Sequence, residues 1–309
     1  MNDVARVTSG GKPAPTRRRL DLFPYVLLAP SLIALALIIF YPIVQVIILS
    51  LQNGNLLKGG AQNRAFIGLA NYATAFEMSD FWNSLWVSAL YALTGVVASY
   101  ALGLFFALLL SGAFRGRGLA RALAIAPWAM PPVVTSIVWM WMYDPQFGVI
   151  NYILQQLQII SENMAWLNDP TRAMPAVIAV TVWKHIPLAM MVLLAGLQSI
   201  PSDLYEAARI DGATPFDEFR YVTMPGLKPV TVLIVLMLTL WIFKEFTYVY
   251  VLTGGGPGRA TETIVLQVYY QAFKYLDFGV ASAIGIVVML ICLAFSAVYL
   301  PLAYGKDEK

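Results

Sequence analysis

Long apolar runs separated by short polar stretches organise this chain. Runs of at least about 20 residues, the length a helix needs to cross a hydrocarbon layer about 30 Å thick, begin near Phe23, Trp82, Leu119, Met174, Val230 and Val280. The pattern predicts an all-α membrane protein with six transmembrane helices, at approximately 23–51, 82–110, 119–142, 174–197, 230–252 and 280–302, and no strand periodicity competes. Together they make one six-span domain over 22–304. A polar tail, 1–21, carries Gly10-Gly11, two prolines and no apolar periodicity, and is expected to be disordered; 305–309 is a short polar end. The first run follows Arg17-Arg18-Arg19 as a secretory signal would, but it extends from Leu22 to Leu51. A signal core is only about 7–15 residues, so the run reads as a retained span. Composition agrees: 59% of the 309 residues are hydrophobic and 12% charged, so lipid is the main solvent.

Charge then orients the spans. With the N-terminus inside, the cytoplasmic side receives Arg6, Lys12, Arg17, Arg18, Arg19, Arg115, Arg117, Arg121, Arg209, Arg220, Lys228, Lys306 and Lys309. The opposite side receives Lys58, Arg64, Arg172, Arg259 and Lys274, while Lys184 and Lys244 fall within spans. The positive-inside rule therefore places both termini, and the polar segment between spans four and five, in the cytoplasm. A net charge of +3 is this asymmetry, dispersed along membrane edges, and gives no nucleic-acid patch. The single cysteine, Cys292, excludes a disulfide within the chain, and the single histidine, His185, excludes a histidine-rich metal site.

The segment at 199–228 is unusually structured for a connection between spans. Pro201-Ser202-Asp203 starts a helix with a capping hydroxyl, and Asp203 and Glu206 sit near its N-terminus, where orphan amides favour negative charge. Gly212 suits the left-handed position that ends a helix. Thr214-Pro215-Phe216-Asp217 then supplies an N-cap, a proline at the first helical position and a carboxylate three residues after the cap. Two short helices around a sharp corner result, with Pro225 expected to stop the second. Ala207 and Ala208 allow close approach by another surface, and Phe216 and Phe219 add apolar bulk: this is the chemistry of a docking surface.

Ionisable groups inside a span cost roughly 2.5–3.5 kcal/mol each, so Lys184, Lys244 and Glu245 must find polar company. At about 1.5 Å per residue, Lys184 lies about 15 Å and Glu245 about 10 Å below the outer ends of their spans. On one continuous helix Trp241, Glu245 and Tyr248 fall at i, i+4, i+7, with Lys244 about 100° away. Aromatic faces suit the C–H faces of a pyranose, and charged groups can bond its hydroxyls. Trp183, Lys184, Trp241, Lys244, Glu245 and Tyr248 are therefore candidates for a solute pathway. The competing reading makes Lys184 and Glu245 a packing salt bridge and Trp183 and Trp241 interface aromatics. Trp139, Trp141 and Tyr143 read as belt anchors at the outer end of span three.

Glu206-Ala207-Ala208, three residues, Gly212, nine residues and Val222-Thr223-Met224-Pro225 resemble the EAA loop of the membrane subunits of binding-protein-dependent ABC importers. Thr253-Gly254-Gly255-Gly256-Pro257 resembles the TGGGP turn of the sugar-type permeases of the maltose and glycerol-phosphate group. Further matches are Phe66-Ile67-Gly68-Leu69-Ala70-Asn71-Tyr72, Pro127-Trp128, Gly148-Val149-Ile150-Asn151 and Leu194-Ala195-Gly196-Leu197-Gln198-Ser199-Ile200-Pro201, which spread over almost the whole chain. One departure is Thr247, where many relatives carry Asp after Phe, so substrate contacts are not carried over there. The resemblance implies the type I ABC importer permease fold, with cytoplasmic coupling helices between spans four and five. It makes Glu206, Ala207, Ala208, Asp211, Gly212, Phe216 and Phe219 the ATPase-coupling residues.

The resemblance further implies a non-catalytic subunit of an ATP-driven importer of a carbohydrate or related polyol. Its implied partners are a cytoplasmic ABC ATPase dimer, an unlike second permease subunit, an extracytoplasmic solute-binding protein and membrane lipid. The glycine-rich segment Thr253–Arg259 lacks a Gly-Lys-Ser or Gly-Lys-Thr ending and falls on the outer side, so it is no phosphate loop, and the chain is expected to bind no cofactor of its own. ATP and Mg are expected on the partner ATPase. The alternative is an ion-coupled secondary transporter using Lys184 and Glu245. Such proteins are commonly built from internal repeats with broken helices, neither of which is evident in the sequence.

Overall fold

The computed structural model describes residues 23–58, 64–112 and 114–303. The tails expected at 1–21 and 305–309, with their basic residues, lie outside the described residues. Two compact units divide near Gln45. The chain enters through α1 (Phe23–Leu35), a π-helical turn (Ala36–Phe40) and α2 (Tyr41–Ser50). Val26–Ser50 is apolar and long enough to cross a bilayer as the first span.

In the second unit, α3 (Ala70–Glu77) is a short helix leading into α4 (Ser79–Ser111), the second span. Then come α5 (Arg117–Ala129) and α6 (Pro132–Met142), α7 (Val149–Gln156) and α8 (Ala173–Ser199), the fourth span. Two loop helices, α9 (Ser202–Ile210) and α10 (Pro215–Asp217), precede a π-helical turn (Glu218–Thr223). The chain continues through α11 (Met224–Phe243), α12 (Thr247–Thr253), α13 (Ile264–Tyr269) and α14 (Phe278–Ala303). Among the described residues there is no strand, only two isolated bridges.

The core forms where α4 lies against α8, with α11 packed on both and on α14. Lipid offers no hydrophobic gain for burying apolar surface, so helices associate through close packing at small residues and through polar contacts. Both are present. A Cβ built on Gly103 would come within 2.5 Å of the Ala189 Cβ, so only glycine permits this approach. Tyr91 Oη and Thr181 Oγ1, both fully buried, meet at 2.5 Å. Leu238, Ile242 and Ile234 of α11 are fully buried against this pair.

Two of the expected continuous spans are broken. The third, expected over 119–142, bends by 96° between α5 and α6. Met130 is extended (φ −72°, ψ 137°) before Pro131-Pro132, and Pro132 starts α6, because a residue preceding proline is driven out of the helical region. The fifth, expected over 230–252, stops at Phe243 and restarts at Thr247. Its other end is longer than expected, since the apolar helical run extends over Pro215–Phe243. Pro225 does not stop the second loop helix. The π-turn before it widens the helix, the Met224 amide bonding back to the Phe219 carbonyl, and Pro225 sits in the first turn of α11, where a missing N–H costs little.

Candidate functional site

The two helix breaks face one another across a cavity of about 350 Å³, lined by Trp128, Pro132, Lys184, His185, Trp241, Lys244, Glu245 and Tyr248. Each break leaves backbone groups without helical partners, and a charged side chain meets each. At the first, Lys184 Nζ, reaching from α8, donates to the carbonyl oxygens of Pro127 and Trp128 (both 2.9 Å) and of Met130. A cation suits this end of α5, where the helix dipole is negative. At the second, Glu245 Oε1 accepts from the amides of Thr247 (2.8 Å) and Tyr248 (3.3 Å), a carboxylate at the positive start of α12.

Of the pathway candidates, Lys184, Trp241, Lys244, Glu245 and Tyr248 come together, and Trp183 does not. Its ring packs edge-on against Trp139 at 5.6 Å. The expected i, i+4, i+7 stripe is not a helical stripe, because the break falls inside it; the three residues converge instead by lining one hollow. No ion pair joins Lys184 to Glu245, so the packing salt bridge is not formed. Tyr143, expected in an aromatic belt, is buried and donates to the Ala176 carbonyl at 3.1 Å, whereas Trp141 is exposed.

Sequence reasoning passed over Trp128, Pro132 and His185. The His185 Nδ1 lies 2.8 Å from the Thr181 carbonyl and its ring 6.3 Å from that of Trp241. Pro131-Pro132 was the available signal for the first break. For His185 it was position alone, beside a lysine that must face something polar.

At one end of the bundle the 199–228 segment forms a second candidate site. Gly212 adopts φ +85°, ending α9 as its sequence predicts. Thr214 and Asp217 close a reciprocal capping box: the Asp217 amide donates to Thr214 Oγ1 at 3.3 Å and the Thr214 amide to Asp217 Oδ2 at 3.0 Å. These bonds from Thr214 hold the Asp217 carboxyl below its ordinary value. The cap expected at Ser202 is absent; Pro201 occupies that position and makes no side-chain cap. Glu206, Ala207, Asp211 and Phe216 are exposed, and Ala208 and Phe219 half-buried. Ile210, which sequence reasoning did not single out, projects furthest, 86% exposed, with Phe216 at 66%. Arg209 Nε donates to Glu218 Oε1 at 2.7 Å across the corner, which raises the guanidinium above its ordinary value. Among the described residues no three His, Cys, Asp or Glu side chains are grouped to hold a metal.

Apolar helices of spanning length around a polar hollow, built at paired helix breaks, with a capped two-helix projection at one end, define a polytopic membrane transport subunit. Residues 99–303 match the family described as the binding-protein-dependent transport system inner membrane component, and the chain belongs to that family. It is 38% identical over 279 residues to the trehalose/maltose transport system permease protein MalF of Thermococcus litoralis, covering 89% of this chain and 92% of that protein. It is 34% identical to the sulfoquinovosyl glycerol transport system permease protein SmoG of Agrobacterium fabrum, covering 93% and 92%. Its fold is that of type I ABC importer permeases. It matches a subunit of a bacterial ABC transporter involved in the import of the acidic polysaccharide alginate with a TM-score of 0.79 at 20% identity, covering 94% of this chain and 97% of that one. Permeases of this family are non-catalytic membrane components of their transport complexes.

Proposed function

We propose that this chain is one of two unlike permease subunits of an ATP-driven importer that moves a carbohydrate or related polyol across the cytoplasmic membrane. The distribution of basic residues supports a cytoplasmic placement of the 199–228 segment and of both termini. A soluble binding protein delivers solute on the opposite side. A pair of cytoplasmic ATPases, which hold ATP and Mg, closes and pushes on the coupling residues Glu206, Ala207, Ala208, Asp211, Gly212, Phe216 and Phe219, with Ile210 as the leading contact. The sugar class rests on the relatives, which carry trehalose or maltose and sulfoquinovosyl glycerol.

One observation carries the reading. The helical run Pro215–Phe243 joins the exposed loop directly to the cavity. Its 29 residues at about 1.5 Å each make a strut roughly 40 Å long, beginning at the capping box and ending at the Lys244–Phe246 break. Displacement of the loop therefore reaches the cavity without passing through a flexible connection. In the cavity, the faces of Trp128, Trp241 and Tyr248 receive the C–H faces of a sugar ring, and Lys244, His185 and the second Glu245 oxygen bond its hydroxyls. Broken helices also occur in secondary transporters, and they are present here, so their expected absence does not separate the two readings. Family membership and the structured loop favour the ATP-driven one.

Gly212→Asp forces a side chain into the left-handed region, and Glu206→Lys reverses charge on the docking face. Both variants are expected to reach the membrane with solute-stimulated ATP hydrolysis and uptake reduced together. Uptake at the parent rate in both would overturn the proposal.

A further inference from the structure

We infer that Arg209, Glu218, Tyr205 and Thr223 form a clamp that makes α9 and the foot of span five move as one body, and that this clamp carries the coupling stroke into the strut. The inference rests on the reading above that an ATPase meets the loop.

Between α9 and α10 the backbone passes through only the corner at 211–214, where Gly212 sits at φ +85°. Such a corner, left to itself, is a hinge, and a push on α9 would fold it instead of moving the strut. Two cross-links span the hinge. Arg209 Nε and Nη2 reach Glu218 Oε1 and Oε2 at 2.7 and 3.4 Å, and Tyr205 Oη lies 3.0 Å from Thr223 Oγ1. Thr223 Oγ1 also donates to the Glu218 carbonyl at 3.3 Å, which uses its one hydrogen, so Tyr205 is the donor in the first bond.

The arrangement concentrates all these bonds on the two ends of one π-helical turn, Glu218–Thr223, at the base of the strut. An exposed ion pair alone contributes little. Here the carboxylate side is only 17% exposed, and a second, neutral bond fixes the other end of the same turn. The four clamp residues line a space of about 370 Å³ together with Leu108 and Ser111 at the end of α4 and Leu197 and Gln198 of α8. The lever is thus tied to α11 and has room beside α4 and α8 in which to swing.

The test uses the complete complex in closed vesicles with the ATPases and ATP on the inside, with Cys292→Ser and Lys244→Cys as a cavity reporter for a membrane-impermeant maleimide added outside. Nucleotide trapped with orthovanadate closes the ATPases and is expected to speed labelling from the outer side. Arg209→Glu and Glu218→Arg are each expected to trap nucleotide but lose about three- to tenfold of that labelling gain, and the charge-swapped double variant to recover most of it. Single variants that label like the parent, or a double variant as defective as the singles, would overturn the clamp. Should a single variant shed its ATPases, recovery by the swap decides the matter in the same way. Ile210→Asp separates the two levels: if it keeps its ATPases bound, the docking reading fails, whatever the clamp variants do.

Discussion

Lys184 is the residue whose removal reports most about the cavity. Its ammonium has three N–H bonds, and all three end on carbonyls at the broken end of α5. Lys184→Met keeps the stem's apolar bulk and removes the donors. A buried acceptor left without a partner costs about 1–3 kcal/mol. The three carbonyls edge a hollow of about 350 Å³ that water can enter, so the low end applies to each. The total is about 3 kcal/mol, or ~5 °C for an unfolding entropy of about 2.1 cal/mol/K per residue over the 309 residues. Thermal unfolding followed by size-exclusion chromatography of the purified complex measures this directly. Lys184→Arg, which keeps donors and charge, is expected to lose less than half as much. The decisive control adds Glu245→Gln. Because the two side chains serve different breaks, the double variant is expected to lie within about 1 kcal/mol of the sum of the singles. Full rescue by the second change would mean that the two charges form a pair and that the breaks are not held independently.

Further predictions follow from the same geometry. Glu245→Gln keeps an oxygen that accepts from the Thr247 and Tyr248 amides but loses the charge, so uptake is expected to fall while yield and assembly stay at parent levels; failure to assemble would contradict this. Gly103→Val is expected to cost about 1–3 kcal/mol by overpacking against Ala189, with partial recovery on adding Ala189→Gly, read as thermal stability. Thr214→Ala removes one half of the capping box and is expected to cost about 1 kcal/mol of local stability, seen as faster proteolysis of the loop. Asp217, held below the ordinary carboxylate value, contributes stability that is present above the unfolded value of about 3.9 and is lost as pH falls through the lower folded value. Pepsin cleavage of the loop is therefore expected to rise in acid beyond that point in the parent, and Asp217→Asn to lose the step.

Legibility in the sequence varied with how local the cause was. The capping box at Thr214 and Asp217 and the left-handed Gly212 were readable because each depends on residues within one turn. The break in the third span has a local cause too, Pro131-Pro132, but it was hidden inside an apolar run whose length alone satisfied a membrane crossing. The break at Lys244–Phe246 contains neither proline nor glycine. It is held by Glu245 turning back onto the amides of α12, a choice that hydropathy does not record. The same limit explains Lys184: a search for charged partners in sequence finds Glu245, whereas its acceptors are backbone carbonyls that every residue carries. Pro225 was misread because a π-turn accommodates a proline that an α-helix would reject.

In the mechanism proposed for this permease, force enters through the corner between spans four and five. Photocrosslinking from position 210 in the intact complex tests it most directly, because Ile210 is the most exposed apolar side chain of that loop. A photoreactive amino acid in place of Ile210 is expected to crosslink to a cytoplasmic ATPase subunit, with the yield changing when nucleotide is trapped. Crosslinks to a protein on the extracytoplasmic side, or to lipid alone in a complex that still transports, would contradict it.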